Sequence, residues 1–141
     1  MYWILDDNGT PVKTEDIREW AQWFHTANRR IALTELDGAE VSTVFLALDH
    51  NYGMGPPLLY ETMVFPENDS DFAIATSGPW RTSTREEALR THQEVTASIE
   101  QELNSYHEYM AGLHKEDAAR AAKKMVSFAD RKRKLIWQKK K

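Results

Sequence analysis

The chain has 141 residues, 41% hydrophobic and 28% charged, with a net charge of −4 and no cysteine. Those figures describe one globular domain and exclude a disulfide framework, a thiolate nucleophile and a cysteine-based zinc site. No apolar run approaches the length of a membrane span, and the opening MYWILDD lacks the basic-then-apolar order of a signal peptide, so a cytoplasmic protein with no membrane partner is expected.

In chain order, YWILD reads as a first strand, and DDNGTPV turns the chain through Asn8-Gly9, a strong hairpin signal. Thr14 is placed to cap a helix over TEDIREWAQWFHTA, with Ile17, Trp20, Ala21 and Phe24 on one face and Trp23 beside it. RRIALTEL and AEVSTVFLALD flank a second turn at Asp37-Gly38, and LLYETMVF supplies a further strand. In VSTVFLAL and LLYETMVF both alternating faces are largely apolar, which predicts central strands covered twice, once by helices of this chain and once by a partner subunit. PENDSD is a surface loop, and FAIATS a candidate short strand.

WRTSTREEAL reads as a helix start, with Ser83/Glu86 or Thr84/Glu87 forming a capping box. The seam Leu89, His92, Thr96, Ile99, Leu103, Tyr106, Met110 and Leu113 repeats in steps of three and four and asks for a partner helix. The final segment, EDAARAAKKMVSFADRKRKLIWQKKK, is a second amphipathic helix and supplies that partner, within the chain or swapped between two. The expected fold class is α+β: a small antiparallel sheet, one short N-terminal helix and two long C-terminal helices that form a dimer.

Charge divides the domain in two. Residues 1–114 hold seven Lys or Arg against nineteen Asp or Glu, a net of −12; residues 115–141 hold eleven against three, a net of +8. The two parts are read as one domain, an acidic core and a basic amphipathic helix. That basic end suits an acidic groove on its own or a sister subunit, nucleic-acid phosphates, or an anionic surface.

The loop DHNYGMGPP between the two central strands concentrates unusual residues. Gly53 and Gly55 permit positive φ and close approach of a ligand, and amides around glycines can form an anion-binding nest. His50, Asn51 and Tyr52 add a titratable donor, an amide and a stacking ring. Arg29, Arg30 and Arg81 are candidates for phosphate because a guanidinium offers a planar fork of donors, and Trp80 is a second flat ring. Each has a structural alternative: a turn that simply needs glycine, a cation at a helix C-terminus, a staple at a helix start. Asp49, His50, Glu61 and His92 are metal-ligand types on separate segments with no binding spacing.

The block VSTVFLALDHNYGMGPPLLYETMVF, with MYWILDDNGTPV, DIREWAQWF and STREEALRTH, resembles a family of small bacteriophage and prophage proteins over residues 1–92. Thr82 departs from its pattern, which has an aromatic after the arginine, and the basic end lies outside it. The resemblance implies an accessory protein of the infected cell's cytoplasm. The layout is similar in outline to anti-Thoeris sponges, oligomers that bind nucleotide signals without cleaving them. The leading expectation is therefore a homo-oligomer, joined through its C-terminal helices, that counters host immunity by sequestering a small phosphorylated nucleotide. On this reading Arg29, Arg30 and Arg81 meet phosphate, Tyr52 or Trp80 stacks on a base, and His50, Asn51, Gly53 and Gly55 shape the pocket, with no cofactor and no catalysis. The alternatives are an acidic nucleic-acid mimic that binds a host defence protein, and a metal-assisted phosphodiesterase.

Overall fold

A computed structural model describes residues 1–67 and 78–112, together with Asp130 and Lys132. The fold is α+β with two antiparallel sheets, where the sequence led to one. Strands β1 (Tyr2–Leu5) and β2 (Pro11–Thr14) form a hairpin whose turn takes Gly9 at φ 77°, as the Asn-Gly pair requires. Helix α1 (Ile17–Thr26) follows. Strands β3 (Arg30–Leu36), β4 (Ala39–Phe45), β5 (Tyr60–Pro66) and β6 (Trp80–Thr82) form the larger sheet in that spatial order. Helix α2 (Arg85–Ala111) then crosses one face of it.

The cap of α1 is Asp16, not Thr14. Its carboxylate accepts the amides of Arg18 and Glu19, while the Thr14 hydroxyl donates to Glu19 at 2.6 Å and accepts the Asp16 amide. An ionised acceptor satisfies exposed N-terminal amides and meets the helix dipole better than a hydroxyl does. Trp20, Trp23 and Phe24 face the core with Phe45, Leu59 and Tyr60, but Ile17 lies 55% exposed in the first turn. For α2 the box is Thr84/Glu87: Thr84 accepts the Glu87 amide, and Glu87 reaches back to the amide of Ser83. WRT itself is strand β6, paired with β5, and the helix starts from the second of the two expected caps, Thr84.

The buried residues of α2 are Ala88, His92, Val95, Ile99 and Leu103, a stripe shifted toward Ala88 and Val95 from the expected seam. The reason is its partner. Val41, Val64 and Ala39 of the sheet pack beneath it, so the sheet selects this face of the helix. Within this contact runs a polar ladder. His92 Nε2 bonds the Thr34 hydroxyl at 2.8 Å, His92 Nδ1 bonds the Thr43 hydroxyl at 2.8 Å, and Thr43 continues to Thr62 at 2.7 Å.

The expected helix over 115–141 and the FAIATS strand fall outside the described residues. Asp130 and Lys132 are helical, and Lys132 Nζ lies 3.6 Å from Glu102 on α2. Among the described residues there is thus one short helix and one long one. On the sheet face turned away from α2, Ser42 is buried while Leu33 is 38% and Phe65 48% exposed. No helix among the described residues is long and apolar enough to cross a membrane.

Candidate functional site

The quoted loop is built around one carboxylate. Asp49 Oδ1 accepts the amides of Asn51 at 2.7 Å and Leu58 at 3.1 Å, and Oδ2 accepts the amide of Gly53 at 3.0 Å. Burial by itself would raise the Asp49 carboxyl; the three amides outweigh it and hold the group below its ordinary 3.8. The nest expected around these glycines therefore exists, and its anion is internal. An aspartate of the same chain occupies the place a ligand phosphate was expected to take.

Local chemistry explains the rest of the turn. Tyr52 and Gly53 both adopt left-handed φ, 53° and 76°, so the chain reverses tightly enough for the Gly53 amide to point back at Asp49. Asn51 Nδ2 donates to the Pro56 carbonyl at 2.9 Å, and a Cβ on Gly55 would come within 3.1 Å of that amide nitrogen. His50 donates from Nδ1 to the Leu48 carbonyl at 3.0 Å. Asn51 and His50 thus hold the loop together. The loop is also sewn to the first hairpin: the Asp49 amide donates to Met1, and the Trp3 amide donates to Ala47.

Between that hairpin and the loop lies a cavity of about 380 Å³. Its walls include Trp3 and Lys13 from the hairpin, and Asp49, Tyr52, Gly53 and Gly55 from the loop. The volume is in the range of small-molecule pockets, and the lining combines two flat rings, an ammonium and a carboxylate. Tyr52 is 75% exposed at the rim.

The arginines do not converge on it. Arg29 stacks its guanidinium 4.1 Å over the Phe24 ring and donates from Nη1 to the Phe45 carbonyl, bracing the end of α1 against β4. Arg81 pairs with Glu61 at 2.8 Å. Arg30 begins β3, opposite Val44 on the sheet face away from α2. Trp80 packs against the core between α2 and the sheet. Of the nine residues singled out from sequence, Tyr52, Gly53 and Gly55 line the cavity, His50 and Asn51 support its wall, and Arg29, Arg30, Trp80 and Arg81 are elsewhere. The metal-ligand types are equally scattered. His92 is in the threonine ladder, Glu61 is with Arg81, and among the described residues no group of three His, Asp or Glu side chains is placed to hold a metal ion.

Sequence reasoning missed Lys13, Trp3 and the structural role of Asp49. Lys13 did carry a signal, being the sole lysine in residues 1–114. Trp3 read as an ordinary strand residue, and only tertiary pairing brings β1 beside the loop, through the Tyr2–Leu48 bridge. Comparison with protein-family models, curated proteins and solved structures finds no match to this chain.

Proposed function

We propose that this chain is a binding protein that sequesters a small phosphorylated nucleotide, in the manner of a phage accessory protein acting against host immunity. The observation that carries the reading is the meeting of Lys13, Trp3 and Tyr52 around one cavity, walled by the loop that Asp49 orders. Lys13 lies on the cavity wall, and on this reading it takes the phosphate role first given to the arginines. A base would lie against Tyr52, whose exposed ring gains burial on binding, or against Trp3. Asp49 keeps acceptor capacity on Oδ2 beyond the Gly53 amide, which suits a ribose hydroxyl and disfavours phosphate at that end. The ligand is thereby oriented, with its sugar toward Asp49 and its phosphate toward Lys13.

The test is thermal unfolding with a panel of nucleotides, cyclic dinucleotides and cyclic ADP-ribose. A ligand at about one hundred times its dissociation constant stabilises by about 2.7 kcal/mol, so a hit is a clear rise in Tm. Lys13→Ala and Tyr52→Ala should each weaken that shift by at least tenfold in ligand concentration while leaving the ligand-free Tm within about 1 °C. A panel without any shift sinks the reading, and a shift untouched by both substitutions moves the site elsewhere.

A further inference from the structure

The face of the larger sheet opposite α2 is arranged in three rows. Side chains alternate across a strand, so the pairing registers place Arg30, Val44, Glu61 and Arg81 in one row at one end. Leu33, Ser42 and Met63 form the middle row, and Glu35, Glu40 and Phe65 the other end. In the middle row Leu33 is 38% exposed beside a half-buried Met63 and a buried Ser42, and Phe65 is 48% exposed in the acidic end row. The face is also polarised: both arginines sit at one end, and an acidic pair without a cation sits at the other.

That acidic pair is unfavourable in the isolated chain. Glu35 and Glu40 are direct cross-strand partners, and like charges in that position repel. Neither has an ion-pair partner among the described residues. Arg30, exposed at the far end of the same strand as Glu35, has none either.

We propose that this face is a two-fold interface between two copies of the chain. A two-fold axis running across the strands lays β3 on β3 with direction reversed. Leu33 then meets its own counterpart, Arg30 of each copy meets Glu35 of the other, and Phe65 lies over the Glu61–Arg81 pair. An isologous contact needs such self-complementarity, because each residue pair occurs twice. A basic end, an apolar middle and an acidic end on one face satisfy it in the reversed orientation and in no parallel one. The same packing covers Leu33 and Phe65, the two apolar side chains exposed on that face. This interface is independent of the cavity beside the first hairpin.

Sedimentation equilibrium over a concentration series tests it with the full chain. The parent protein should be a dimer. Arg30→Glu and Glu35→Arg each place like charges opposite one another twice, and each should weaken the dimer at least tenfold while the Tm at low concentration does not fall. An equimolar mixture of the two variants restores both pairs, so it should form a heterodimer about as strong as the parent. A parent that stays monomeric at high concentration overturns the proposal. So does a dimer indifferent to both reversals, which would be joined elsewhere, or a mixture no tighter than its components. Both substitutions are on exposed side chains; should one unfold the chain, Leu33→Glu at the centre provides the same reading of dimer against monomer.

Discussion

Asp49→Ala should be the most damaging single change in the acidic core, lowering stability by about 3 kcal/mol and Tm by about 10 °C. It removes a carboxylate that three amides share and leaves the Asn51, Gly53 and Leu58 N–H groups without their acceptor. Hydrogen bonds to an ionised group contribute more than neutral ones, and the part-buried amides of Asn51 and Leu58 add a share of their desolvation cost. Asp49→Asn separates shape from charge. Its Oδ1 can still accept from Asn51 and Leu58, but its amide NH2 would face the Gly53 N–H, donor against donor. About 2 kcal/mol should be lost, and the cavity wall should loosen around Gly53. Acid acts through the same carboxylate. Its folded-state value lies below 3.8, so its contribution is fully present above that pH and is lost as pH falls through the lower value. Chemical denaturation at pH 7 and pH 3 should show a smaller pH penalty for Asp49→Asn than for the parent.

The second large effect lies beneath α2. His92 is only 6% exposed, and burial pushes its pKa down from 6.5, which favours the uncharged ring. His92→Leu keeps much of the apolar volume but removes both bonds to the threonine ladder. Thr34 loses its ring partner, while Thr43 retains Thr62. A loss of about 2–3 kcal/mol is expected from the broken bonds and the part-buried Thr34 hydroxyl they leave. The sign with pH follows from the same shift. The unfolded state takes up its proton first as pH drops below 6.5, so the parent loses stability from there down to the lower folded value. His92→Leu should be flat across that window. Denaturant midpoints at pH 7.5 and pH 5 would measure both effects, and an equal pH response in parent and variant would place the titrating group elsewhere.

The parts of the fold legible in the sequence are those decided locally. Asn8-Gly9 and Asp37-Gly38 specify their hairpins because only such pairs take the required backbone angles readily, and both turns are where the sequence places them. Thr84/Glu87 caps α2 by side chains within a single turn. Choices between nearby polar residues were less legible. Thr14 and Asp16 both suit a cap, and Glu19 decided between them by engaging Thr14. The α2 seam was legible in part: His92, Ile99 and Leu103 are buried as expected, but a 3-4 repeat does not reveal that a sheet lies beneath and draws in Ala88 and Val95.

The site was legible as a place and not as a constellation. Glycines, a tyrosine and an Asp-His-Asn run marked the loop, yet the meaning of Asp49 depends on amides two, four and nine residues further on, which meet only when the turn is closed. The arginines illustrate the opposite error. Guanidinium chemistry made them candidates, but Phe24, Phe45 and Glu61 had prior claims on Arg29 and Arg81 through packing that no spacing reveals. Lys13, which sequence reasoning passed over, is the lysine on the cavity wall.

The most direct test of the binding account is a backbone and indole NMR titration with the nucleotide that gives the largest thermal shift. The account expects saturable shifts at Lys13, Tyr52, Gly53, Gly55 and the Trp3 indole, with Arg29 and Arg81 unmoved. Shifts concentrated at Arg29, Arg81 and the far face of the sheet, with the hairpin and its loop silent, would contradict it.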